Sequence, residues 1–233
     1  ARAAKGVMLF FERISIYLGV VAAMLTSVTS TASGGALENR LHEAAERGNV
    51  AEVRAVLAQG ASVDARDSSG ATALLVATHH NQVAAAEALI AAGADVNAKD
   101  RIHDSPYLYA GARGHNEILK LTLAHGADLQ STNRYGGTAL IPAAERGHVE
   151  TVRLLIAAGV DVNHVNRLHW TALLEAVLLG DGGPKHVDIV RQLIAAKADV
   201  NLADAEGVTP LQHARQRGYL QMAELLAAAG AKN

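Results

Sequence analysis

The chain reads as an all-α solenoid, about six copies of a helix-turn-helix unit stacked in a row, and three observations predict it. A Thr or Ser placed to cap a helix recurs at Thr72, Ser105, Thr138, Thr171 and Thr209, at intervals of 33, 33, 33 and 38 residues. The second helices end alike, as Ala58-Gln59-Gly60-Ala61, Ala91-Ala92-Gly93-Ala94, Ala124-His125-Gly126-Ala127, Ala157-Ala158-Gly159-Val160, Ala195-Ala196-Lys197-Ala198 and Ala228-Ala229-Gly230-Ala231. Finally, isolated helices below ~12–15 residues are marginal in water, so each unit must bury its apolar side against a copy of itself.

Residues 1–35 stand outside the array. Arg2, Lys5 and Arg13 precede an apolar stretch from Ile14 to Leu25, and small residues follow through Ser33. A basic start, a short apolar middle and a small-residue end predict a secretory signal peptide with a short linker, best cleaved after Ser30-Thr31-Ala32. The apolar run is short for a membrane-spanning helix, which needs ~20 residues. Met8 is a candidate natural start.

The array is expected over residues 36–233, in units of about 36–67, 68–100, 101–133, 134–166, 167–204 and 205–233. The first unit begins polar, with Asn39, Arg40, His42, Glu43, Glu46 and Arg47, and the sixth carries Gln212, Arg215, Gln216, Gln221 and Glu224. Both read as capping units, whose outer faces must meet water. The stretch from Thr138 to Trp170 shows one unit whole. Thr138 is predicted to cap the first helix, and Arg146 suits that helix's negative end. Gly147 and Gly159 follow runs of helix formers, where a left-handed C-cap favours a residue without a Cβ. Val149, Val152, Leu155 and Ile156 recur at helical spacing and give the second helix an apolar side. Pro142 is expected to distort the first turn modestly, because it lacks an N–H. An extended Asp161-Val162-Asn163 leads to a turn at Asn166. The longer fifth unit has an insertion, Asp181-Gly182-Gly183-Pro184-Lys185, between its helices.

Thr209-Pro210-Leu211, the pairs Gly114-His115 and Gly147-His148, and the run Gly93-Ala94-Asp95-Val96-Asn97 resemble the ankyrin repeat. The resemblance covers roughly residues 39–233 and implies antiparallel helix pairs in a curved array, with short hairpin-like fingers projecting from one edge. The departures are local. The His expected after Thr-Pro-Leu survives only as His42, His103 and His169 stand in place of the finger glycine, and Lys197 in place of a C-cap Gly.

Half the residues are apolar and only 3% aromatic, which suits packing between small-residue helices. With no cysteine there is no disulfide framework, thiolate metal site or Cys nucleophile. Residues 1–32 carry Arg2, Lys5, Arg13 and Glu12, a net +2, so the formal charge of −2 becomes −4 without them. A balance of that sign lacks the positive field that nucleic acid requires. The alanine-rich composition suggests a bacterial protein, expected to be periplasmic or secreted, free of the membrane after signal cleavage, and monomeric.

Catalytic constellations are hard to find. His103-Asp104-Ser105 has the residue types of a triad, but three consecutive residues cannot converge as nucleophile, base and orienter. Ser105 is better explained as the cap before Pro106. His115 and His148 recur one unit apart, and stacked helices ~8–10 Å apart hold them too far from each other to share an ion, so they are expected to tie down the turns between helices. His164 and His169 flank one finger, and a metal-dependent or hydrolytic activity built on them is the alternative reading. No cofactor is expected.

The favoured reading is a non-catalytic protein-interaction module. The positions that resemble the variable, groove-facing ones of ankyrin repeats hold Arg101, Arg134 and Arg167 in register, followed by Ile102, Tyr135 and Leu168. Trp170 precedes a cap, and Arg113 and Arg146 end first helices. Arg, Trp and Tyr dominate interface hot spots. A positive groove on an acidic chain predicts an acidic protein partner with an apolar anchor, held by units three to five. The competing possibility is that Arg101, Arg134 and Arg167 bond finger carbonyls or pair with Asp100 and Asp104.

Overall fold

A computed structural model describes residues 35–232. Twelve helices stand among the described residues, in six antiparallel pairs: α1 (residues 35–47) with α2 (Val50–Ala58), α3 (Ala73–His79) with α4 (Val83–Ala91), α5 (Pro106–Arg113) with α6 (Asn116–Ala124), α7 (Leu140–Glu145) with α8 (Val149–Ala158), α9 (Ala172–Leu178) with α10 (Pro184–Ala195), and α11 (Pro210–Gln216) with α12 (Leu220–Ala228). Each odd helix from α3 packs on the next odd one and each even helix on the next even one, so the array has two layers. The core lies between them, built from small and aliphatic side chains such as Leu74, Leu89, Leu119, Leu140, Leu155, Leu173, Ile189 and Leu226, with Tyr107 the largest fully buried side chain. The predicted signal segment and Asn233 lie outside the described residues.

The fingers contain no strand among the described residues beyond an isolated bridge between Arg66 and Thr72. Each is closed by one Asx side chain instead. Oδ1 of Asp67, Asp100, Asn133, Asn166 and Asp204 accepts from the backbone N–H groups two and four residues on, for example from Leu168 and Trp170 at 2.9 and 3.0 Å in the fifth unit. A local side chain thus supplies the turn that strand pairing would otherwise make. The Asn of the Asp-Val-Asn motif reaches across units: Asn97, Asn163 and Asn201 accept from the N–H of Asp128, Asp199 and Lys232. These bonds lock one finger to the next and set the stacking register.

The capping expectations hold at Thr72, Ser105, Thr171 and Thr209, whose hydroxyls accept from the N–H three residues on. They fail at Thr138. Helix α7 begins only at Leu140, no side chain caps it, and the Thr138 hydroxyl is buried without a partner. Pro142 explains the correction. It has no N–H to give the Thr138 carbonyl and its ring crowds that oxygen, so Ile141 N–H turns to the carbonyl at 3.3 Å instead of to the hydroxyl. The result is the shortest of the α-helices from α2 on, six residues. His103, His169 and Lys197 adopt left-handed backbone, with φ of 65°, 60° and 69°. They occupy a conformation that other units fill with glycine, so the non-glycine residues at these positions carry local strain.

Candidate partner-binding groove

The fingers and the odd helices α5, α7 and α9 together form a cleft of about 250 Å³. Its walls are Tyr109, Tyr135, Ile141, Pro142, Leu168, Trp170 and Leu179, and its charged groups are Asp104, Arg113, Arg134, Glu145, Arg146 and Glu175. Six of the nine sequence-predicted residues line it: Arg113, Arg134, Tyr135, Arg146, Leu168 and Trp170. Arg101, Ile102 and Arg167 do not line the cleft but stand on the adjoining fingers. Ile102, Tyr135 and Leu168 form an exposed apolar row one unit apart, at 52%, 55% and 51% exposure.

The arginines are only partly free for a partner. Arg167 Nη1 donates to the Arg134 carbonyl at 3.1 Å, and its stem packs over Gly136. Arg146 Nη1 donates to the Ala112 carbonyl of the preceding unit at 2.6 Å. Arg134 lies 3.8 Å from the Asp104 carboxylate and 4.9 Å above the Tyr135 ring. Arg113 lies over the Tyr109 ring at 5.4 Å. Bonding to finger carbonyls and pairing with Asp104 therefore account for part of the arginine register. The same contacts hold the guanidinium groups of Arg134 and Arg113 against aromatic faces at the cleft rim.

Sequence reasoning missed the cleft's acidic side. Glu175 stands four residues past its cap, is only 5% exposed, and accepts from Asn166 Nδ2 at 2.9 Å through Oε1. In the sixth unit the same position is His213, whose Nε2 meets Asp204 Oδ2 at 2.6 Å. The pairs are complementary: once Oδ1 has closed the finger, Asn166 has an amide to donate and finds a carboxylate, while Asp204 has an acceptor and finds an imidazole. Burial, and next the like charge of Glu145, push the Glu175 carboxyl up to about 7, against the pull of the Asn166 bond and of Arg146. Burial likewise raises Asp104, with Asp100 adding to it and Arg134 opposing. The signal was available, because positions four and eight past a cap share one helix face with the groove-facing residues.

Of the two finger histidines His164 and His169, His164 has a backbone partner. His164 Nε2 lies 2.7 Å from the Gly136 carbonyl, and no group of three metal-ligating side chains converges among the described residues. His115 Nδ1 bonds the Thr78 carbonyl at 3.0 Å, tying a turn to the preceding unit.

Known proteins place this architecture. The family described as ankyrin repeats in three copies matches residues 19–100 and 107–204, and a second ankyrin-repeat family matches residues 184–227. Curated proteins give no match. Among solved structures, an ankyrin repeat domain from Acinetobacter baumannii is similar at 64% identity and a TM-score of 0.81, covering 82% of this chain and 98% of its own. An ankyrin repeat protein of Enterococcus matches at 42% identity and a TM-score of 0.79, over 84% of this chain and 98% of that one. The ankyrin repeat domain of human ASB11 matches at 28% identity and 0.71, over 82% and 84%. Ankyrin repeats generally act as protein-interaction modules and are typically non-enzymatic. With stacked helix pairs, Asx-closed fingers and these matches together, the chain belongs to the ankyrin repeat family.

Proposed function

We propose that this chain is a non-catalytic interaction module that holds an acidic segment of a partner protein along units three to five, with an apolar anchor in the cleft. The observation that carries this reading is the cleft itself, where Trp170, Tyr135 and Leu168 adjoin Arg113 and Arg134. Arg101 and Ile102, with Arg167 and the exposed finger row, extend the same surface. Aromatic anchors hold such complexes, while charge mainly sets encounter rate and selects the partner. Trp170→Ala is thus expected to accelerate dissociation by about 2 kcal/mol, and Arg134→Glu to slow association, most at low salt. Capture of partners from a bacterial extract, comparing the chain with its Trp170→Ala/Arg134→Glu variant, tests both. Equal recovery of the same proteins by the two forms would move the site to the outer face or to the 181–185 insertion.

The likeness to the Acinetobacter and Enterococcus proteins supports a bacterial origin. The pattern of residues 1–33 supports export to the periplasm or beyond. Amino-terminal sequencing of material from expressing cells checks the second point. A chain that begins near Ser33 in the periplasm is the expected result, and an intact cytoplasmic one would refute it.

A further inference from the structure

The fold gains nothing from two of its exposed imidazoles. Gly70, Gly136 and Gly207 fill the left-handed position of their fingers, and His103 and His169 fill it at a cost in strain. Both histidines are exposed, and their imidazoles make no hydrogen bond, ion pair or ring contact among the described residues. Lys197 is strained as well, but it lies just past the end of a helix, whereas each histidine follows an exposed apolar fingertip, Ile102 or Leu168. Arg101, Arg134 and Arg167 precede the three tips Ile102, Tyr135 and Leu168 and are exposed too. The carboxylates of these fingers are turned to the fold. Asp100 Oδ1 accepts two backbone N–H groups, and Asp104 is partly buried beside Arg134. A guanidinium has five donors, so Arg134 and Arg167 keep some for a partner after the contacts already described.

We propose that the finger edge of units three to five takes an acidic amphipathic helix of the partner, with one apolar residue on each fingertip and carboxylates on the arginines and the two imidazoles. This rests on the groove reading and gives its acidic segment a conformation. Spacing selects the helix. The tips recur one unit apart, ~8–10 Å by the packing of stacked helices. Seven residues of α-helix rise about 10.5 Å and return to nearly the same side. A strand shows one side every ~6.6 Å, and its next match is at ~13 Å. A polyproline helix returns every ~9.3 Å, but its other residues stand ~120° round, turned away from the surface. In the α-helix, residues three and four along lie within ~60° of the apolar line, where carboxylates can face the cations and imidazoles that flank the tips. Tyr135 and Leu168 also wall the cleft, so the same apolar line supplies the anchor there.

Fluorescence anisotropy with labelled, alanine-rich peptides about three heptads long is the test. All carry Leu at heptad spacing. One flanks each Leu with Glu, one has Lys in place of Glu, and one is the Glu peptide interrupted by two central prolines, which break the helix. The intact Glu peptide should bind in the micromolar range, and the other two about tenfold more weakly or worse. The His103→Gly/His169→Gly variant should melt no lower than the parent chain, since glycine accepts the left-handed backbone, and should bind the Glu peptide about threefold more weakly or worse. Equal binding of the Glu and Lys peptides, equal binding of the interrupted one, or no binding of any would overturn the proposal. So would a glycine variant that keeps full affinity or melts lower. Failure here leaves the groove reading standing if the Trp170→Ala/Arg134→Glu variant still loses its captured partners.

Discussion

Leu140→Ala lowers the unfolding free energy by about 2–5 kcal/mol, the range for truncating a fully buried leucine. Leu140 is the first residue of α7, fully buried, and α7 packs on α5, α8, α9 and α10. A void there has no easy way to collapse, because helices close it from four sides. Position in the array sharpens the expectation. In a one-dimensional stack, stability is a sum of unit terms and nearest-neighbour interfaces. Damage at the fourth unit weakens an interface on each side, so the whole urea transition should shift. Leu226→Ala removes an equally buried side chain from α12 in the last described unit, which packs on one described neighbour. That variant should fray locally, broadening the transition at its low-urea side and leaving the midpoint of the remainder in place. Urea melts of both variants followed by far-UV circular dichroism check the pair. A loss below about 1 kcal/mol for Leu140→Ala would contradict its placement in a tight core.

The repeat made the architecture readable because each local choice agreed with the stack. Threonine or serine caps, left-handed glycines and Asp-Val-Asn fingers recur at one period, and four of the five capping positions cap as their residue types require. Thr138 shows the limit. The threonine is a good cap in isolation, but Pro142 decides the first turn, and the outcome depends on competition between two residues rather than on either type. The arginine register was equally visible, while its partners were not. Arg146 bonds a carbonyl 34 residues back and Arg167 one 33 residues back, contacts that exist only once the units are stacked. Glu175 was overlooked for a similar reason. A glutamate in a helical run reads as a solvated face, and its burial to 5% exposure exists only in the stacked array, even though its place four residues past the cap marks the groove side.

Glu175→Gln stabilises the chain at alkaline pH and has little effect in acid. The carboxyl titrates at about 7 in the folded chain against an ordinary 4.5. Between those values the folded state binds a proton that the unfolded state has released, so stability falls as pH rises through that window. Below about pH 4.5 both states are protonated and the penalty is absent; above about pH 7 it is complete. The shift corresponds to on the order of 3 kcal/mol, an upper figure because Glu175 lines an open cleft where solvent screens the charge. Burial and Glu145 set the penalty, with Asn166 and Arg146 opposing it. Glutamine keeps the oxygen that accepts from Asn166 and removes the charge. Comparing urea midpoints of the chain and the variant near pH 5 and about pH 8 cancels the other titrating groups, and the gap should widen with pH. A gap independent of pH would show that Glu175 is ionised and solvated in the folded chain. The sign matters for the groove as well. Above neutrality the ionised carboxylate weakens the fold while leaving a negative charge in the cleft near Arg146.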